Sequence, residues 1–234
     1  MNAVILLGDP TCTAGTYLLR VRLSRAARVA FGRFAGGRRL LLPAGEYAYV
    51  GSAMGARGSA SLGCRLLRHA TRTGDRPPHA LRGELALRLQ QAGLLRRSAG
   101  AAGAALDAGE QPETGASRAV RPKRLRWHVD YLLDHRAASL RGVIVWRWRV
   151  RLEGPLAAWL VRQPGTRPVA PSLGAGDDPG QTHLLAVPAD DEWWSAVAAR
   201  WAAGYLGGPA AGRSGPLPPR TNRGGGPWSC AAPR

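Results

Sequence analysis

The 234-residue sequence predicts an α+β domain, a small antiparallel β-sheet flanked by helices. Three observations predict it. Residues Tyr17 to Leu23, Tyr47 to Gly51 and Val143 to Val150 alternate apolar and polar side chains with the period of two expected of strands. Between and after them, Leu62 and Leu66, Leu156, Leu160 and Val161, and Trp193, Trp194, Val197 and Trp201 recur with helical spacing. The 31 glycines and 18 prolines are unevenly spread, which favours a packed core with loose segments attached.

Residues 1–14 read as a loose lead-in, with Val4 to Leu7 able to dock as an edge strand. Residues 15–72 form the first half of the domain. Tyr17, Leu19, Val21 and Leu23 face one side of a half-buried strand and Arg20 and Arg22 the other, and Val29 to Phe34 is the expected partner strand. Leu40 to Leu42 and Tyr47 to Gly51 complete the sheet around a Pro43-Ala44-Gly45 turn. A helix follows, with Leu62 and Leu66 on one side and Arg65, Arg68 and Arg72 on another.

Residues 73–121 read as an insertion. It has one amphipathic helix, built on Leu81, Leu85, Leu89 and Ala92, and an Ala/Gly/Ser/Glu-rich loop over 98–121 too poor in large apolar residues to order itself. Residues 122–206 form the second half. In Lys123 to Leu133 an extended chain would bring His128 and Asp130 together, whereas a helix would separate them by about 200°. Val143 to Val150 is a strand with Ile144, Trp146, Trp148 and Val150 on one face and Arg147 and Arg149 on the other. Glu153 opens a helix with Pro155 in its first turn, His183 to Val187 is a last strand, and Asp190-Asp191 caps a C-terminal helix. Residues 207–234, rich in Gly, Pro and Arg, are expected to be a disordered basic tail.

The charge is +18, from 33 basic and 15 acidic residues, and Lys123 is the single lysine. Guanidinium groups bind phosphate bidentately and stack on bases, so nucleic acid is the expected partner class, and charge does not separate DNA from RNA. Cys12, Cys64 and Cys230 form no Cys-x-x-Cys pair, which argues against a zinc ribbon or a disulfide framework and suits a reducing cytoplasm. Val4 to Leu7 is too short for a signal-peptide core, and no apolar run of membrane-spanning length occurs, so no membrane association is expected.

Gly15-Thr16-Tyr17 and Tyr49-Val50-Gly51, followed by a helix carrying Arg65, resemble the paired tripeptides and helix arginine of the GIY-YIG nuclease superfamily. Pro43 to Ala53, Arg65 to His69 and Trp127 to Leu132 extend the likeness to the family known as domain of unknown function 123, a GIY-YIG relative sometimes fused to endonuclease-III-type repair glycosylases. The resemblance covers roughly 15–72 and 122–188. It implies a GIY-YIG-like, magnesium-dependent endonuclease acting on DNA phosphodiesters, linked to DNA repair and to association with a base-excision glycosylase. Glu153-Gly154 and Asp177-Asp178 stand where the family carries cysteines, and the 73–121 insertion separates halves that are normally adjacent.

Carried over from the superfamily, Tyr17 would be the general base or orient the attacking water, and Tyr49 would hydrogen-bond the scissile phosphate or the water network. Arg65 would stabilise charge on the phosphoryl oxygens. Glu153 would hold Mg2+ or another divalent cation. Arg68, His69, Lys123, His128 and Asp130 lie on or beside the basic surface and are candidate substrate contacts, although a packed histidine at 69 is equally open, and His128 and Asp130 are open as metal ligands or as groups that orient them. Two rivals stand beside the nuclease: a non-catalytic nucleic-acid-binding module on the same fold, and a metal-dependent small-molecule hydrolase using His128, Asp130 and His183.

Overall fold

The computed structural model describes residues 2–95, 123–174 and 181–206; the expected disordered segments 98–121 and 207–234, and Asp177 and Asp178, lie outside the described residues. In chain order the elements are β1 (Val4–Gly8), β2 (Gly15–Leu23), β3 (Ala27–Ala30), β4 (Arg39–Leu42), β5 (Gly45–Ala53), α1 (Leu62–His69), α2 (Arg82–Gln91), α3 (His128–Leu133), β6 (Ala138–Arg147), α4 (Glu153–Val161), β7 (Arg167–Pro168), β8 (Leu184–Val187) and α5 (Asp191–Trp201). Six strands form one sheet in the order β1-β6-β2-β5-β8-β7, in which only the β1 and β6 pair is parallel.

Strand β2 is the axis of the fold because it is paired along its length on both sides. Tyr17 lies opposite Gly51 of β5 and Val145 of β6, and Leu19 opposite Tyr49 and Val143. Its alternation then sorts the core into two layers. Tyr17, Leu19, Val21, Leu23, Tyr47 and Tyr49 pack with Leu62 and Leu66 of α1, Leu85 and Leu89 of α2, and Leu132 and Leu133 of α3. On the opposite face Leu18, Ala48, Val50, Ile144 and Trp146 pack with Leu156 and Leu160 of α4 and Trp194, Val197 and Trp201 of α5. Helices therefore cover both faces. Each fully buried leucine on these helices contributes about 1.5–3 kcal/mol.

Several expectations change. Of the two readings open for the first residues, the edge strand holds and the loose lead-in does not, since Val4–Gly8 docks on β6 as the parallel edge strand. Residues 27–30 do not join the main sheet but pair with β4 in a separate two-stranded sheet, because both edges of β2 are occupied by β5 and β6. Strand β6 begins five residues before Val143 and is buried on both faces from Val143 to Arg147, so Arg147 does not mark an outer face. Its guanidinium is buried and donates to the Cys12 carbonyl at 2.8 Å and to that of Pro10. The strand ends there, leaving Trp148 and Val150 outside it. The segment around His128 is helical, so His128 and Asp130 diverge.

Helix α2 is the single helix expected within 73–121, and its apolar side joins the first core layer, with Leu85 and Leu89 fully buried. His79 pins the chain before it: its Nε2 lies 3.1 Å from the Leu133 carbonyl, and Leu140 N–H donates to its Nδ1 at 3.1 Å. At the other end, the Asp190 carboxylate accepts from Trp193 N–H and caps α5. No helix among the described residues is long and apolar enough to cross a membrane.

Candidate active site

Tyr17 and Gly51 are cross-strand partners, and the tyrosine ring lies flat across the glycine. A Cβ built on Gly51 would stand 2.5 Å from both Cζ and the hydroxyl oxygen of Tyr17, so only a residue without a side chain fits. The phenol so placed reaches across the sheet face to α1, where its oxygen is 3.0 Å from Nε2 of His69. Nδ1 of His69 is 3.0 Å from one carboxylate oxygen of Asp130, and the other oxygen accepts from the backbone N–H groups of Arg126 at 3.0 Å and Trp127 at 3.2 Å. Lys123 Nζ stands 3.5 Å from the first oxygen. Tyr17, His69 and Asp130 are all buried.

The electrostatics of this chain define its protonation. Burial alone would raise Asp130, but the hydrogen bond from His69, the Lys123 ammonium and the Arg126 N–H outweigh it and hold the carboxyl well below the usual range. Burial lowers His69 despite the opposing pull of Asp130. A neutral imidazole beside a carboxylate donates from Nδ1, which leaves Nε2 as the acceptor for the Tyr17 hydroxyl. Burial pushes the Tyr17 phenol far up, against the charge of Arg65, so the proton on the phenol oxygen is firmly held until a base takes it.

Tyr49 stands opposite Leu19 on β5 and points to the same face, its ring centre 6.4 Å from that of His69. Burial, and then the neighbouring Tyr17, hold its phenol well above the ordinary value. Arg65, one turn before His69, donates to the carbonyls of Ser59, at 2.9 Å, and Ser52, and its charge pulls against the burial of Tyr17. Its guanidinium lies 4.6 Å over the Trp127 ring, where the guanidiniums of Arg68 and Arg126 also stand, at 5.3 and 5.4 Å. Glu153 reaches the same end of the sheet from the other layer. One of its oxygens accepts from the Ser52 hydroxyl, the other lies 3.0 Å from Nδ1 of His183, and Arg151 stands 3.8 Å away. Ser52 joins the halves: its carbonyl holds Arg65 and its hydroxyl holds Glu153. Tyr17, Tyr49, Arg65 and Glu153 are thus one neighbourhood, close enough for the carboxylate of Glu153 to raise both phenols.

Other candidates face inward. His69 and Asp130 offer no accessible surface, and the Lys123 ammonium donates to the Thr71 carbonyl at 2.9 Å beside Asp130, so these three are groups that position Tyr17 rather than groups that can touch a substrate. Arg68 is partly buried, its Nε 3.9 Å from Asp130 and its guanidinium donating to the Arg124 carbonyl. His128 accepts from Gly174 N–H at 2.9 Å and packs edge-on to Phe34. His128, Asp130 and His183 therefore do not converge, and among the described residues no three His, Cys, Asp or Glu side chains form a metal cage. A single carboxylate with a hydroxyl and an imidazole beside it does fit one divalent cation that keeps several waters. Sequence reasoning missed Ser52 and Trp127 as parts of the site. For Trp127 a signal existed, an aromatic residue amid Lys123, Arg124 and Arg126, which is the composition of a nucleic-acid surface.

A family model described as Domain of unknown function DUF123 matches residues 16–203, most of the chain. Comparison with curated proteins and with solved structures returns no match.

Proposed function

We propose that this chain, which belongs to the DUF123 family, is a divalent-cation-dependent phosphodiesterase acting on DNA. The observation that carries the reading is the buried Tyr17, His69 and Asp130 chain at the end of the sheet where Ser52 joins Arg65 to Glu153. Asp130 fixes the imidazole with its proton on Nδ1. Nε2 can then take the Tyr17 hydroxyl proton as that phenol oxygen takes one from an attacking water, and the imidazolium formed is stabilised by Asp130. Arg65, held by the Ser52 and Ser59 carbonyls, supplies fixed positive charge to the phosphoryl oxygens, a contribution of about 2.7–4 kcal/mol where comparable donors are removed. A divalent cation held by Glu153 would add Lewis-acid charge at the phosphoryl group. The three guanidiniums grouped on Trp127 repel one another in the free protein, and a polyanion with stacking bases relieves that repulsion.

One observation favours a second reading, a binding module that does not turn over: Tyr17 is 1% and Tyr49 3% exposed, so water has little access to either phenol. Cleavage of duplex, nicked and branched DNA with Mg2+ or Mn2+ separates the two. Glu153→Ala should abolish cleavage and leave DNA affinity unchanged or slightly higher, because a negative charge near phosphate is gone. Arg65→Ala should cost both affinity and turnover, turnover more. Absence of cation-dependent cleavage together with weakened binding by Arg65→Ala establishes the binding module. If neither substitution changes any property measured with nucleic acid, both readings fall.

A further inference from the structure

We propose that Glu153 and His183 are joint ligands of one cation site, and that its preferred occupant is a borderline transition-metal dication of the Mn2+, Co2+ or Zn2+ class rather than Mg2+. The inference rests on the reading of Glu153 as a cation-holding carboxylate and deepens it by adding a nitrogen ligand.

His183 is 2% exposed, and neither of its ring nitrogens has a hydrogen-bonding partner among the described residues. A buried, unsatisfied polar group costs about 1–3 kcal/mol, so two such atoms on one ring need a reason. Nδ1 lies 3.0 Å from the Glu153 oxygen, which is ion-pair distance, yet the pair is not aligned as a hydrogen bond. Two ligand atoms each about 2.1 Å from a metal and at the right angles of an octahedral site are separated by about 3.0 Å, and neither points at the other. The nitrogen and oxygen have the separation of such a pair.

Both ligands are also held in place. His183 N–H donates to the Leu173 carbonyl at 2.9 Å, and the His183 carbonyl accepts from Val50 N–H at 2.9 Å, so its backbone is locked to β5 just before β8 begins. Gly174 closes over it, where an added Cβ would stand 2.9 Å from the Cβ of His183. The Ser52 hydroxyl occupies the second oxygen of Glu153 and turns the first toward His183, as an outer group does for a metal-bound carboxylate. An imidazole in the ligand set sets the class of ion. Mg2+ takes oxygen ligands and keeps its waters, whereas imidazole suits later first-row metals. Arg151 and Arg65 nearby oppose any cation, so affinity is expected to be modest without an anion and to rise when a phosphodiester is present.

The test uses the full chain and Co2+ as a paramagnetic probe. An imidazole bound to Co2+ shows a ring N–H proton shifted far outside the diamagnetic range, and amides near the ion broaden. The expected result is one such exchangeable resonance, broadening centred on His183, Gly154 and Ser52, and calorimetric affinity for Zn2+ or Mn2+ at least tenfold above that for Mg2+. Glu153→Gln should weaken Co2+ binding at least tenfold, and His183→Gln should abolish the shifted resonance and collapse the preference over Mg2+. Should the histidine variant fail to fold, the wild-type Co2+ spectrum and the Glu153→Gln titration decide the matter alone. Co2+ bound through Glu153 with no shifted imidazole resonance overturns this inference and leaves the phosphodiesterase reading intact. Absence of binding by any of these dications, with Glu153→Gln indistinguishable from wild type in cleavage, removes both.

Discussion

Gly51→Ala tests the link between the sheet and the proposed chemistry. The added Cβ would stand 2.5 Å from the Tyr17 hydroxyl oxygen and Cζ and 2.7 Å from Cε2. Ordinary contact between such atoms lies near 3.5 Å, so the ring must retreat by about 1 Å. The backbone cannot supply that movement, because β2 is fixed in register by both β5 and β6. The Tyr17 to His69 hydrogen bond, 3.0 Å in the native arrangement, is then lost. Overpacking of this kind costs about 1–3 kcal/mol and the hydrogen bond about 0.5–1.5 kcal/mol, so unfolding in urea should register a loss of roughly 2–4 kcal/mol. A displacement of about 1 Å at a proton-transferring group slows chemistry on the order of 100-fold, which single-turnover DNA cleavage would read. Tyr17→Phe keeps the ring and deletes the hydroxyl, so it should match the cleavage defect with a smaller stability loss. A Gly51→Ala protein that cleaves at the wild-type rate would show that the position of the Tyr17 hydroxyl is not used. One with undiminished stability would show that the ring does not pack on this glycine.

His79 makes stability depend on pH. Burial, and then the charge of Arg72, lower it to about 4 from an ordinary 6.5. Between those values the unfolded chain binds the extra proton, so stability is complete above about pH 6.5 and falls by about 3 kcal/mol as pH drops to 4. His79→Gln, which keeps a donor for the Leu133 carbonyl, should be less stable than wild type at pH 7 and lose that deficit by pH 4; a deficit constant across the range would exclude the assignment. DNA affinity should fall steeply between 50 and 200 mM salt, since each phosphate neutralised by arginine releases counterions. A flat response in fluorescence anisotropy would exclude an extended phosphate-binding surface.

What was legible in the sequence was local. Alternation placed β2 and the core of β5, and helical spacing placed α1, α4 and α5, because these signals live within a dozen residues. That Tyr17 and Tyr49 share a face depends on the register of β2 against β5, which alternation within either strand does not fix. Strand partners were not legible, since β6 reaches β2 across more than a hundred residues and no local pattern encodes that pairing. Arg147 misled for a related reason: a charge that alternates like an exposed one is satisfied here by loop carbonyls from the far end of the chain. The Asp130 link was hidden in the choice between strand and helix around His128. Only the helix turns that carboxylate toward His69, and nothing in the spacing chose it. His183 and Glu153, about thirty residues apart, meet through the pairing of β8 with β5, which is again a long-range fact.

The position of Lys123 governs how this protein responds to amine chemistry. It is the single lysine of the sequence, and its side chain is 5% exposed against Asp130. Acylating labels, aldehyde fixatives and amine-directed crosslinkers should therefore spare the folded domain's side chains and mark them only when α3 has come away from α1. Amine reactivity becomes a readout of local opening at that junction. The exposed cations are guanidiniums, which keep their charge to well above pH 10, so the attraction of this surface for polyanions should be insensitive to alkaline pH where a lysine-based surface would fade.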